Sequence, residues 1–220
     1  MINSLESLRI KRASTAERVA DALRGAIWRG ELQPGEVLKE APLIDALGVS
    51  RNTIREGFRL LDREGLVVHE LHRGVVVRRL ERADVVDLFR TRRALEEQGV
   101  RAAEHAPDPA LAAIVGVADA GARAAASERW PDVATANLEL HARIVGLVGS
   151  ERLERFFAAV LAELRLASGA LSDLAALHGP YVPRNVELAG LIGARRIDAA
   201  LAALGEYLRD SEAVHLSAVT

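Results

Sequence analysis

The 220-residue chain has no cysteine, which excludes disulfides, thiolate zinc sites and cysteine nucleophiles together. Aromatic residues are scarce, at 2 Trp, 2 Tyr and 4 Phe. Alanine and leucine dominate instead, a balance that favours packed helices over sheets. No apolar run reaches the length of a membrane span, and the N-terminus lacks a signal-peptide core. The expectation is a cytoplasmic protein with no membrane partner. Missing as well are a paired acid and base, a nucleophile motif, a phosphate loop and a complete metal-ligand set, so no enzyme is expected.

What is present suits two small domains, divided near residue 80 into 1–80 and 81–220. The net charge of -2 conceals an asymmetry. Residues 1–80 carry 14 Lys+Arg against 11 Asp+Glu, and residues 81–220 carry 15 against 20. A basic front on an acidic body is expected where only the front meets phosphate.

Residues 15–29 place Val19, Leu23, Ala26 and Ile27 on one helical face. The turn formers of 30–35 end that helix, Val37–Lys39 can form a very short strand, and a brief helix runs from about Pro42 to Leu47. Gly48 permits a tight turn between crossing helices, and Ser50 is a good N-cap for the next one. Ile54, Phe58 and Leu61 face inward there, leaving Asn52, Arg55, Arg59 and Asp62 to solvent or DNA. Gly65 suits a left-handed cap. Leu66–His69 and Val75–Arg78 read as strands around a turn at His72-Arg73-Gly74. Helix, short helix, helix and β-hairpin in this order form a winged helix-turn-helix.

In such a unit the helix starting at Ser50 enters the major groove with its N-terminal end foremost. Arg51 and Arg55 then reach guanine edges or phosphates, Asn52 and Thr53 hydrogen-bond to bases or backbone, and the His72-Arg73-Gly74 tip reaches a minor groove. Solubilising a surface helix is the plainer role for these arginines. The capped turn and the basic hairpin tip favour DNA.

From Ala83 onward no strand pattern occurs. Helices are expected over about 83–104, 110–127, 131–148, 151–176, 182–194 and 196–216, packed as an antiparallel bundle. Polar residues interrupt the apolar stripes at Arg92 (with Glu96 one turn on), Asn137, His141, Asn185 and Tyr207. Singly each has a structural explanation: a surface ion pair for Arg92 and Glu96, a hydrogen-bonded core histidine, a tyrosine at the rim.

The runs Ile27–Gly35, Leu47–Glu56, Leu60–Leu66 and Arg73-Gly74 resemble the GntR family over nearly all of residues 15–79. That resemblance implies that Arg51 and Arg55 contact DNA and that Arg73-Gly74 is the wing tip. One departure is Gly57, where the family usually has alanine, at a helix-propensity cost of about 1 kcal/mol. The rear half resembles, more loosely, the FCD effector domain in its six-helix, VanR-like form. Arg92–Glu96 is similar to its first-helix motif, Asn137–His141 to its Asp-x-x-x-His motif, and Asn185 and Tyr207 to the positions of two further histidines. Many members hold a divalent metal there with one Asp and three His. Here only His141 is a strong ligand, and His215 lies too far along to replace a missing one. The expectation is therefore no structural metal, at most a weakly held Zn²⁺ or Ni²⁺. The resemblance implies instead a small organic acid, gripped by Arg92 and hydrogen-bonded by Asn137, His141, Asn185 and Tyr207.

The reading is a homodimeric repressor on a palindromic double-stranded operator, gated by a small carboxylate. Two rivals stand beside it: a DNA binder that has lost sensing, with an apolar closed bundle centre, and an enzyme using the helical half.

Overall fold

A computed structural model describes residues 14–169 and 173–218. The chain opens with α1 (Thr15–Arg29), started by a capping box between Ser14 and Glu17 and ended by Gly30 in the left-handed region, φ 73°. Its buried face is Val19, Ala20, Leu23 and Ile27; Ala20 takes the place expected for Ala26, which is only half-buried. Then follow α2 (Glu40–Leu47) and α3 (Arg51–Arg63). Gly48 at φ 64° makes the turn between them, and the Ser50 side chain accepts from the Thr53 amide, as the sequence suggested. Strands β1 (Val67–Glu70) and β2 (Gly74–Val77) pair antiparallel, Val67 opposite Val77 and Glu70 opposite Gly74. The expected strand at Val37–Lys39 reduces to a single bridge from Val37 to Val76.

The front core joins Leu23 and Ile27 to Ile54, Phe58 and Leu61 of α3 and to Leu66, Val67 and Val77 of the hairpin. Burying each such side chain contributes about 1.5–3 kcal/mol, which makes this face the main support of the unit. The structure gives Gly57 a reason that propensity alone did not. A Cβ there would lie 2.6 Å from Val19 Cγ1, so the glycine lets α3 lie close against α1. Arg24 of α1 grips Glu64 through Nε and Nη2 at 2.8 and 2.7 Å, tying α1 to the far end of α3.

The rear half is helical throughout its described residues: α4 (Arg82–Ala102), α5 (Asp108–Ala126), α6 (Trp130–Gly146), α7 (Glu151–Gly169), α8 (Leu174–His178), α9 (Tyr181–Gly193) and α10 (Ile197–Ala218). The helix expected over 151–176 divides into α7 and a short α8, whose start is capped by Asp173 accepting from the Ala176 amide. Residues 170–172 of that expected helix lie outside the described residues. The break near Arg195 is real. Its φ is 54°, and its guanidinium reaches the Ala106 carbonyl at 2.7 Å and Asp108 at 2.9 Å.

α5 packs on α6 and α9, α4 on α10, and α6 on α7. α5 is long and apolar enough by length and composition to cross a membrane, contrary to expectation; here it buries Leu111, Ile114, Ala118, Gly121 and Ala124 within the bundle. Gly99 of α4 meets the Ile144 carbonyl of α6 with no room for a Cβ. The two halves share one continuous apolar core, with α1 lying on α7.

Candidate DNA-binding surface and effector pocket

The exposed face of α3 and the hairpin border one groove, lined among others by Lys39, Glu40, Arg51, Arg55, Arg59 and Arg73. Arg51, Asn52 and Arg55 are exposed and Thr53 is half-buried, its hydroxyl 2.8 Å from that of Ser50. At the hairpin tip His72 adopts φ 66° and Gly74 φ 83°, so the turn projects Leu71, 84 % exposed, beside His72 and Arg73.

One residue of this surface escaped sequence reasoning. Glu40, at the start of α2, lies 2.7 Å from Arg55 Nε and 3.4 Å from Arg51 Nε. The hydrogen bond from Arg55 holds its carboxyl below the usual range. Nothing local in the sequence marks a contact that spans the turn. Arg73 is likewise held, by Glu70 at 2.5 Å and by the Gly35 carbonyl at 3.2 Å. The basic surface is thus pre-braced by its own carboxylates.

In the bundle centre all five singled-out polar residues are buried. Arg92 and Glu96, 1 % and 0 % exposed, form an interior pair at 2.8 Å rather than a surface one. His141 Nδ1 donates to the other Glu96 oxygen at 2.5 Å. Burial alone would raise the Glu96 pKa, but Arg92 and His141 hold it below its ordinary value. Burial, with Arg92 adding to it against the pull of Glu96, lowers His141 below its ordinary value. Asn137 Oδ1 accepts from Asn185 Nδ2 at 2.8 Å and from the Tyr207 hydroxyl at 2.7 Å. Burial raises the Tyr207 pKa, which keeps that hydroxyl a donor.

Asn137, Asn185 and Tyr207 therefore meet in one hydrogen-bonded cluster, with the His141 ring 5.0 Å from the Tyr207 ring. The donor set does not suit a divalent metal. Asn137 Oδ1 is engaged twice, the phenol is protonated, and His141 supplies the one strong nitrogen. Among the described residues no group of three His, Cys, Asp or Glu is placed to hold an ion. The cluster instead leaves buried polar atoms without a partner: Arg92 Nη2, His141 Nε2 and Asn185 Oδ1. Native structures rarely leave such groups unmatched.

Beside this cluster lies a narrow cavity lined by Arg92, Asn137 and Tyr207 and also by Arg165, His178 and His215. It has about 10 Å³ of free space, the room of about one water. Arg165, His178 and His215 are lining residues that the sequence reading leaves out, His215 entering it only as too distant to replace a metal ligand. The signal for His215 and Arg165 was available: Leu204, Leu208, Ser211 and His215 continue one inward stripe of α10, and Leu161, Leu164, Arg165 and Ser168 do the same on α7. Burial pushes His178 and His215 down to about 4, so both are neutral near pH 7.

A braced recognition helix and wing on a helical bundle with a polar centre define the class of winged-helix transcription regulators. Residues 15–77 match the family model of bacterial regulatory proteins, gntR family, and residues 87–210 match the FCD domain. A solved GntR transcriptional regulator from Rhodococcus sp. RHA1 is 36% identical, with TM-score 0.84 over 94% of this chain and 100% of that one. The Nta operon transcriptional regulator of Aminobacter aminovorans is 30% identical over 61% of this chain and 64% of its own length. The gluconate operon transcriptional repressor of Bacillus licheniformis is 34% identical over 40% of this chain and 35% of its own length. Across the curated relatives the match spans 35% to 64% of their lengths. The chain belongs to the GntR family, with an FCD domain behind the winged helix. The matched families and relatives are regulators, not enzymes, which removes the catalytic rival.

Proposed function

We propose that the chain is a sequence-specific DNA-binding repressor, acting as a homodimer and gated by a small carboxylate in its helical domain. The division falls between β2 and α4, with 1–80 binding DNA and 81–220 sensing and pairing. Ser50, Arg51, Asn52, Thr53 and Arg55 would read the major groove, and His72, Arg73 and Gly74 the adjacent minor groove. Two such units on a two-fold axis match half-sites one helical turn apart, hence a palindromic operator. Such a protein works in the cytoplasm, where the DNA is.

The observation that carries the gating is Arg92 Nη2, buried and unpartnered, on a residue that lines this narrow cavity. A carboxylate there would satisfy a charged donor that the fold leaves open. Asn185 Oδ1 and His141 Nε2 are further unpartnered acceptors in the neighbouring cluster, on residues that do not themselves line this cavity. Since the cavity holds about one water, entry of the acid requires the bundle to open. The closed centre favours the rival without sensing; its polarity and orphaned groups favour the sensor.

Selection of bound duplexes from a random pool, followed by titration with acetate, glycolate and succinate, tests both halves. The expected result is a palindromic site lost on Arg51→Ala, together with acid binding by calorimetry that Arg92→Ala removes. Binding without sequence preference sinks the first half, and no acid binding, or equal binding by the variant, sinks the second.

A further inference from the structure

Arg165 lies on α7 and is 9 % exposed. It lines the same cavity as Arg92. The histidines there are neutral, and among the described residues no carboxylate lies within ion-pair distance of its guanidinium. A buried cation without a counter-ion is costly. Burial accordingly lowers its pKa, with no opposing pull.

Arg165 also touches the DNA-binding half. A Cβ on Gly30 would lie 2.5 Å from Arg165 Nη2 and 3.2 Å from Cζ, so the guanidinium fills the space a side chain would take. Gly30 is the C-cap of α1, where the helix dipole presents about half a negative charge. That partial charge lies beside a guanidinium that has no carboxylate partner among the described residues. From Gly30, α1 runs back to Val19, which packs onto Gly57 of the recognition helix.

We propose that Arg165 reports the occupancy of the bundle cavity to the winged helix. An anion in the cavity carries a full charge, against the half charge of the helix end. It takes the guanidinium as its counter-ion, draws it off Gly30 and loosens the seat of α1 on α7. This rests on reading the cavity as an anion site. The route is one side chain with two alternative partners, and both sites bias its position.

The test uses the full-length chain, the selected duplex, and acetate, glycolate and succinate as probes. In the wild type the effective acid changes the Kd for DNA by about 5–150-fold, the usual range of such coupling. Arg165→Met brings that ratio to about 1, while calorimetry still detects the acid bound through Arg92. Loss of the unpaired charge also leaves the folded variant at least as heat-stable as the wild type. Gly30→Ala, whose methyl displaces the guanidinium, shifts DNA affinity without acid in the direction the acid does. Gly149→Ala is the control. It has the same left-handed strain at φ 70° and nothing within 4 Å of the added methyl, and it leaves DNA affinity unchanged. A full acid response in Arg165→Met overturns the proposal, as does Gly30→Ala behaving like Gly149→Ala. If none of the acids binds the wild type, the gating reading fails. The two glycine variants then decide by themselves whether the guanidinium's seat governs DNA binding.

Discussion

Glu163 of α7 faces the cleft between the two halves, a space of about 880 Å³ that Arg78, Asp84 and Asp87 also line. Burial raises its carboxyl from 4.5 to about 7; Arg78 pulls it down, while Asp84 and Asp87 push it further up. The folded chain therefore keeps this proton at pH values where the unfolded chain has lost it. Its stabilisation is whole below about pH 4.5 and is lost as pH rises through about 7. The ceiling is about 3 kcal/mol, at about 1.4 kcal/mol per tenfold change in proton affinity. The group is partly solvated, and screening reduces that to about 1–2 kcal/mol. For a chain of this size the loss corresponds to about 3–6 °C in Tm. Glu163→Gln removes the titration and keeps the shape. Thermal melts followed by circular dichroism should find variant and wild type equal near about pH 4, with the variant about 3–6 °C higher near about pH 8.5. An offset that is the same at both pH values would show that the carboxyl does not titrate with folding, and the burial argument would fail.

Gly99→Ala drives a methyl into the Ile144 carbonyl between α4 and α6, and should cost about 1–3 kcal/mol. Gly116→Ala on α5, with nothing within 4 Å, should stabilise by up to about 1 kcal/mol; equal melting of the two refutes the packing account. Combining Asn137→Asp, Asn185→His and Tyr207→His with His141 restores one carboxylate and three imidazoles. That triple variant should retain Zn²⁺ through dialysis and melt higher with it, while the wild type does neither, as elemental analysis and melts will register. Glu40→Gln releases Arg51 and Arg55 and removes an acid near the phosphates. Binding to non-specific duplex should tighten and its salt dependence steepen by about one charge; an unchanged slope means Glu40 does not face DNA.

The front half was legible because each of its elements is specified locally. Ser50 caps, Gly48 and Gly65 turn, and the 3.6-residue stripe of Ile54, Phe58 and Leu61 tells inside from outside. The bundle helices were legible for the same reason, and their ends fall within about two residues wherever Pro or Gly marks them. The polar interruptions on their stripes led to Arg92, Asn137, His141, Asn185 and Tyr207, because a polar residue in an apolar stripe must find a partner inside. Which partner it finds was not legible. Glu96 is shared by Arg92 and His141 across helices 45 residues apart in sequence, and Asn137 takes donors 48 and 70 residues away. Glu40 reaches Arg55 across a turn, and Arg165 lies between the cavity and Gly30 only because α7 packs on α1. Periodicity and capping act within a few residues and so belong to the sequence alone. The pairing of buried charges, the room left at Gly30, Gly57 and Gly99, and the state of Glu163 depend on how distant helices approach one another, which only the tertiary structure decides.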